Sequence, residues 1–268
     1  MFMNPDKKDK AETVHSLPLS EQFEKIRNVR ELGGLRTDDG RAIRPGRLIR
    51  TAKLYRATRR DIRILNNLGL ARIFDLRGSD EIAHQPDPTV RGAAWVHVPA
   101  MPDFRGTDLS AQEANQIFNS DPVYGLRAVY HEMARAEVSH DAYRLFFQEI
   151  LSADGHPVLW HCAQGKDRTG VAALLLLTAL GVPQETAMAD YLETNRQMEP
   201  VFNSLIHPHM SPVERMQSEV AVMVRPEFLQ AYIDEIERQY SSIEGYLREE
   251  LGLSEQDLEQ LKEAYLIA

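Results

Sequence analysis

One stretch limits what this chain can become: His161-Cys162-Ala163-Gln164-Gly165-Lys166-Asp167-Arg168-Thr169-Gly170. The apolar run Pro157-Val158-Leu159-Trp160 precedes it, short and led in by Gly155. A second apolar run, Val171 to Leu180, follows and is rich in Ala and Leu. The first reads as a buried strand and the second as a buried helix. Cys162 is therefore expected at a strand end, with Arg168 and Thr169 opening a helix. The loop between them is small and contains a glycine. Its backbone N–H groups can turn inward to meet an anion, and the helix N-terminus adds partial positive charge.

That geometry carries a chemistry. A thiol at a helix N-terminus beside cations has a depressed pKa and is nucleophilic near neutral pH. Arg168 lies six residues after Cys162, where its planar fork can fold back onto two oxygens of a tetrahedral phosphate. The thiolate can then attack phosphorus while amides and guanidinium hold the equatorial oxygens. A nucleotide-binding phosphate loop does not fit, because Asp167 follows Lys166 and Trp160 stands where that motif needs Gly.

Cys-x5-Arg-Thr preceded by His resembles the signature of cysteine-dependent tyrosine and dual-specificity phosphatases. The fuller His-Cys-x-x-Gly-Lys-Asp-Arg-Thr-Gly is similar to a narrower bacterial group, the PtpB and LipA type, with combined phosphotyrosine and phosphoinositide activity. Asn28-Val29-Arg30-Glu31-Leu32-Gly33-Gly34 resembles the N-terminal segment of that group. Gly46-Arg47-Leu48-Ile49-Arg50 and Phe74-Asp75-Leu76-Arg77 resemble its next strands. The resemblance runs from about residue 25 to 198. It implies a tyrosine phosphatase-like α/β fold, phosphorylated protein or phosphoinositide substrates, and no cofactor or metal. It also implies catalytic roles for Cys162, Arg168 and Asp167, with Ala163, Gln164, Gly165, Lys166, Thr169 and Gly170 in the phosphate cradle.

The leaving oxygen of a phosphate ester needs a proton. Asp167 lies in the loop itself and matches the Asp that the resembled group places there. Asp103, in Met101-Pro102-Asp103-Phe104, faintly resembles the mobile Pro-Asp loop of larger tyrosine phosphatases and is the alternative. His161 and Asp75 are expected to support the site, His161 through hydrogen bonds around the nucleophile and Asp75 from the C-terminal edge of a neighbouring strand. Thr169 can donate its hydroxyl to the thiolate. Arg77 reads as an ion-pair partner of Glu81. Lys166 is expected to keep a free charge in the loop for a neighbouring phosphate.

Composition narrows the rest. A chain of 268 residues, 43% hydrophobic, has enough apolar material for a sizeable core. A net charge of −9 repels nucleic acid and anionic membrane surfaces. The single Cys allows no internal disulfide, so an oxidised Cys162 would need another protective route, such as a sulfenamide. Met1 to Lys10 is polar and charged, without the apolar stretch of a signal peptide, and no run is long enough to span a membrane. A cytoplasmic protein, or a secreted one after processing, is expected, and nothing in the sequence fixes an oligomeric state. His207-Pro208-His209 has no nearby Cys or carboxylate cluster and is read as a loop, not a metal site.

In chain order, residues 1 to about 20 read as a flexible lead. Residues 21–268 read as one α/β domain, a central sheet flanked by helices. Asp39-Gly40 signals a hairpin, and Thr58 with Asp61 a capping box before a helix. Strands are expected over 71–76, 94–98 and 157–161. Helices are expected over Pro122–Ala136 and His140–Ala153, the second capped by Ser139. These form part of a helical cover over the active site (about 108–153), a role implied by the resemblance. Further helices are expected over Pro183–Met198, Pro226–Leu251 and Glu255–Leu266, the last two forming a helical C-terminal part.

Overall fold

A computed structural model describes residues 18–101 and 119–268. Its five-stranded sheet is built from β1 (Arg30–Glu31), β3 (Leu48–Ala52), β4 (Arg72–Asp75), β5 (Ala94–His97) and β6 (Val158–Cys162), in the order β1-β3-β6-β4-β5. β1 is antiparallel to β3, and the remaining neighbours are parallel. All five residues of β6 are buried. This follows from its position: paired on both edges and covered on both faces, a parallel strand must be apolar along its whole length.

Side-chain alternation divides the core. Leu48, Phe74, Val158 and Trp160 point into the larger apolar cluster. Ile49, Ile73 and Leu159 point to the opposite face, where they pack with Leu54, Leu65 and Leu70. Helix α2 (Arg59–Asn67) contributes Leu65 there, after α1 (Leu19–Gln22). The Thr58–Asp61 capping box starts α2 as expected. A short α3 (Ser79–His84) follows β4. On the larger face, α4 (Pro122–Arg135) and α5 (Glu137–Ser152) cover the sheet, with Phe146 edge-on to Phe74 at 4.8 Å.

Helix α6 (Asp167–Ala179) leaves the end of β6 and runs through the core. Its residues Val171 to Leu177 are all buried, so it is apolar all round, with no solvent face to present. Then come α7 (Gln184–Leu205), α8 (Pro212–Val222), α9 (Pro226–Tyr240), α10 (Ile243–Glu249) and α11 (Glu255–Tyr265). A two-stranded ribbon pairs β2 (Ala42–Ile43) with β7 (Leu266–Ile267), tying the last residues to the Asp39-Gly40 hairpin region.

Several boundaries depart from the sequence reading. The expected helix Pro226–Leu251 breaks at Ser241, which adopts φ 66°, and Ser242 then caps α10 through Gly245 N at 3.0 Å. Helix α5 starts three residues before His140, and Ser139 is buried inside it instead of capping it. Helix α7 continues through Pro200 to Leu205. Helix α8, unanticipated, has a Ser211–Glu214 capping box. Among the described residues no helix is long and apolar enough to cross a membrane. Asp103, most of the flexible lead and the first part of the helical cover lie outside the described residues.

Candidate active site

Cys162 ends β6 and Asp167 starts α6, so the loop sits where the strand's C-terminal edge meets a buried helix N-terminus. Gly165 makes the turn possible. Its φ is 69°, and a Cβ there would lie 2.3 Å from the Thr51 carbonyl oxygen. The loop's carbonyls are pulled away from the cleft. Asn28 Nδ2 donates to Gln164 O at 3.1 Å and Gly165 O at 2.8 Å, and an Arg50 NH2 group donates to Gly165 O at 3.1 Å. Arg50 and Arg30 both hold the buried Asp190, at 2.5 and 2.8 Å. Among the described residues, the amides of residues 163–166 make no hydrogen bond within the chain. They are free to take an anion.

Cys162 is 2% exposed. Burial pushes its thiol pKa up, yet the Arg168 guanidinium and hydrogen bonds from Thr169 outweigh this, and the net shift is downward. The Thr169 hydroxyl is buried with no oxygen or nitrogen partner, which leaves it for the sulfur. Arg168 is fixed from behind. It donates to both carboxylate oxygens of Glu81, at 2.6 and 3.0 Å, and to Leu76 O at 3.2 Å. Of the five N–H donors of a guanidinium, the one on Nε and one on NH2 remain, side by side, as a fork for a tetrahedral anion.

Asp167 also faces the cleft. Its Oδ1 accepts from the Tyr130 hydroxyl at 2.8 Å, and the Tyr191 hydroxyl lies 2.8 Å from that of Tyr130. Burial and the neighbouring Asp167 charge raise the Tyr130 pKa, so the phenol stays protonated as a donor. The cleft, of about 470 Å³, is lined by Cys162, Ala163, Gln164, Lys166, Asp167 and Arg168, with Leu126, Val220 and Ala221 facing them.

Beneath the loop lies a buried charge cluster. Arg77 bridges Asp75 and Asp87, each at 2.7 Å, and His161 Nε2 is 3.1 Å from Asp87. Burial lowers the His161 pKa, but the two carboxylates outweigh it and hold the ring toward its cationic form. Asp75, His161 and Asp87 have the spacing of a metal site. The Arg77 guanidinium takes the carboxylates instead, so the cluster is charge-balanced without an ion.

Two expectations need correcting. Arg77 does not pair with Glu81; it pairs with Asp75 and Asp87, while Glu81 is taken by Arg168. Lys166 is not free. It is 4% exposed, and its Nζ donates to Val220 O at 2.6 Å and Met223 O at 3.3 Å, capping the C-terminal carbonyls of α8. A buried ammonium must find acceptors, and the end of that helix supplies them. Thr169 and Gly170 are buried at the start of α6. A Cβ on Gly170 would come within 2.7 Å of the Tyr191 ring. The sequence reading named Glu81 only as a partner of Arg77, and it did not find Asp87, Asp190, Tyr130 or Tyr191. A hint existed for Glu81, as an acidic residue just after the Asp75-Leu76-Arg77 strand end.

Comparison with known proteins finds relatives over most of the chain. The model of the family described as "Tyrosine phosphatase family" matches residues 21–267. A Cupriavidus necator protein assigned by name to the tyrosine-protein phosphatases is 33% identical over 256 residues, covering 91% of this chain and 87% of that protein. The triple specificity protein phosphatase PtpB of Mycobacterium tuberculosis is 28% identical, covering 84% of this chain and 92% of its own. A Nostoc commune tyrosine-protein phosphatase is 30% identical, covering 82% and 74%.

Proposed function

The chain belongs to the tyrosine phosphatase family, and from that premise we propose that it hydrolyses phosphotyrosine in proteins through a cysteinyl-phosphate intermediate. The observation that carries the reading is the run of loop amides, unbonded among the described residues, around a thiol whose pKa is shifted down, with Arg168 fixed beside it. The Cys162 thiolate attacks phosphorus, forming an S–P bond as the P–O bond to tyrosine breaks. Asp167 gives its proton to the leaving oxygen. Water then attacks phosphorus, forming a P–O bond as the S–P bond breaks and giving a proton to Asp167, which releases inorganic phosphate and the thiolate. The free amides and the Arg168 fork hold the equatorial oxygens, whose charge grows in the transition state.

The triple specificity of the PtpB relative supports extending the substrates to phosphoserine and phosphothreonine. Phosphoinositide hydrolysis remains part of the proposal by resemblance, but Lys166 lends it no support, since its ammonium is held by the α8 carbonyls and by the Asp167 carboxylate at 3.6 Å. A phosphate-binding module without turnover, or a rhodanese-like sulfurtransferase, would also put Cys in an anion loop. Hydrolysis of p-nitrophenyl phosphate separates them: turnover with trapped phosphate on Cys162 is expected, and absence of any turnover would overturn the reading.

A further inference from the structure

Beside the reaction cleft lies a second, larger groove of about 800 Å³. Ala163, Gln164 and Ala221 line both, so the two adjoin. Its lining carries four cations: Lys25 and Arg27 from the segment before β1, and Lys53 and Arg56 just after β3. The same lining has an apolar stretch, Met198, Val201 and Leu205 of α7. Among the described residues no carboxylate lines the groove, and none of these four side chains makes an ion pair within the chain. In a chain of net charge −9 this is a local reversal of sign. The site's other arginines, Arg30, Arg50, Arg77 and Arg168, are all bound to carboxylates.

We propose that this groove binds acidic residues flanking the phosphorylated side chain of a peptide substrate. The proposal rests on the phosphatase reading above and adds what selects the substrate. Unpaired cations in one groove focus an anionic ligand toward the adjoining cleft. An extended peptide advances about 3.3 Å per residue with side chains alternating in direction. A few residues beyond the phosphorylated one can therefore place carboxylates on the basic residues and apolar side chains on α7. A phosphorylated inositol ring would satisfy the cations but offers nothing to Met198, Val201 and Leu205, so the mixed character of the groove favours a peptide.

The test uses the full chain and two phosphotyrosine peptides of equal length, one with Asp and Glu on both sides of the phosphorylated residue, the other with Asn and Gln. Exposed pairs are weak, about two- to fivefold each, so several together should give roughly a tenfold preference in kcat/KM for the acidic peptide at low salt. The preference should shrink as salt rises. Arg27 and Arg56 are exposed, so Arg27→Glu and Arg56→Glu can be made without disturbing the core, and together they should reverse the preference. Equal kcat/KM for the two peptides in the unaltered chain, or a preference that both reversals leave intact, would overturn the assignment. Reversals that depress hydrolysis of phosphatidylinositol phosphate in vesicles while leaving the peptide ratio unchanged would give the groove to a lipid headgroup and overturn it too. No turnover even of p-nitrophenyl phosphate would remove the phosphatase reading and this inference with it. Turnover of that ester with no acidic preference removes this inference alone.

Discussion

At the scale of single residues, the site turns on which charges are free and which are held. Cys162 is buried, which alone would keep it a thiol; Arg168 and Thr169 reverse the sign. The acid limb of the kcat/KM profile should therefore lie below the ordinary thiol value of about 8.5. Cys162→Ser should abolish turnover while keeping vanadate binding, measured by calorimetry, because the amides and Arg168 remain. Near-normal hydrolysis in this variant would exclude a covalent intermediate. Asp167→Asn should lower kcat by roughly 10²–10⁴ on esters with poor leaving groups and by less on p-nitrophenyl phosphate, whose oxygen needs little protonation. A uniform loss across leaving groups would move the proton donor elsewhere, with Asp103 the next residue to substitute.

At the scale of elements, the loop is shaped less by its own sequence than by what grips it. The segment before and into β1 supplies Asn28, which turns two loop carbonyls away from the cleft. Asn28 adopts φ 51°, a left-handed conformation that Asn tolerates better than Ala. Asn28→Ala would leave two carbonyls and Arg30 short of partners. A stability loss of about 1–3 kcal/mol in denaturant titration is expected, along with weaker phosphate binding as the amides lose their shared direction. Unchanged phosphate affinity would show that Arg50 alone is enough to orient the loop. The same logic explains Lys166. It lies in the motif, yet its contacts anchor the end of α8 over the loop, making it a joint between two elements.

Across the whole molecule, buried charge is neutralised in groups that link distant parts of the chain. Asp190 on α7 sits between Arg30 of β1 and Arg50 of β3. Burial raises its pKa, but the two arginines outweigh this and the net shift is downward. A depressed carboxylate stabilises the fold fully above its unfolded pKa of about 3.9, and this is lost as pH falls through the lower folded value. Asp190→Asn should therefore cost on the order of 3 kcal/mol at neutral pH and flatten the acid side of the stability–pH curve. An unchanged acid limb would place the dependence on other carboxylates. Chelators should leave activity intact. Among the described residues, the two groups with metal-like spacing are each threaded by an arginine, Arg77 through Asp75 and Asp87, and Arg144 through Glu137 and Glu250. Loss of activity in EDTA, restored by a divalent ion, would contradict this.

Features that depend on neighbours along the chain are readable from the order of the amino acids. The strand–loop–helix around Cys162 is legible because a short apolar run, a small-residue loop and an Ala/Leu run each impose local geometry. The Asp39-Gly40 turn and the Thr58–Asp61 cap are legible for the same reason, since their hydrogen bonds close within four residues. Asp75 is also expected at the C-terminal end of a strand neighbouring that of Cys162, and β4 lies parallel beside β6, but the register that sets Asp75 opposite His161 comes from the fold. The partners of the long side chains are set by packing between distant elements. Glu81 reaches Arg168 across 87 residues, Lys166 reaches Val220 across 54, and Asn28 reaches Gly165 across 137. Arg77 faced two nearby acidic choices and took the buried pair, where desolvation makes an unmatched carboxylate most costly. The Pro226–Leu251 stretch has apolar spacing that runs on past Ser241, so periodicity did not reveal the break there. Spacing along a chain sets which face a side chain occupies. Which opposite charge or carbonyl it meets is set by how those faces close on one another, and that information is spread over the whole fold.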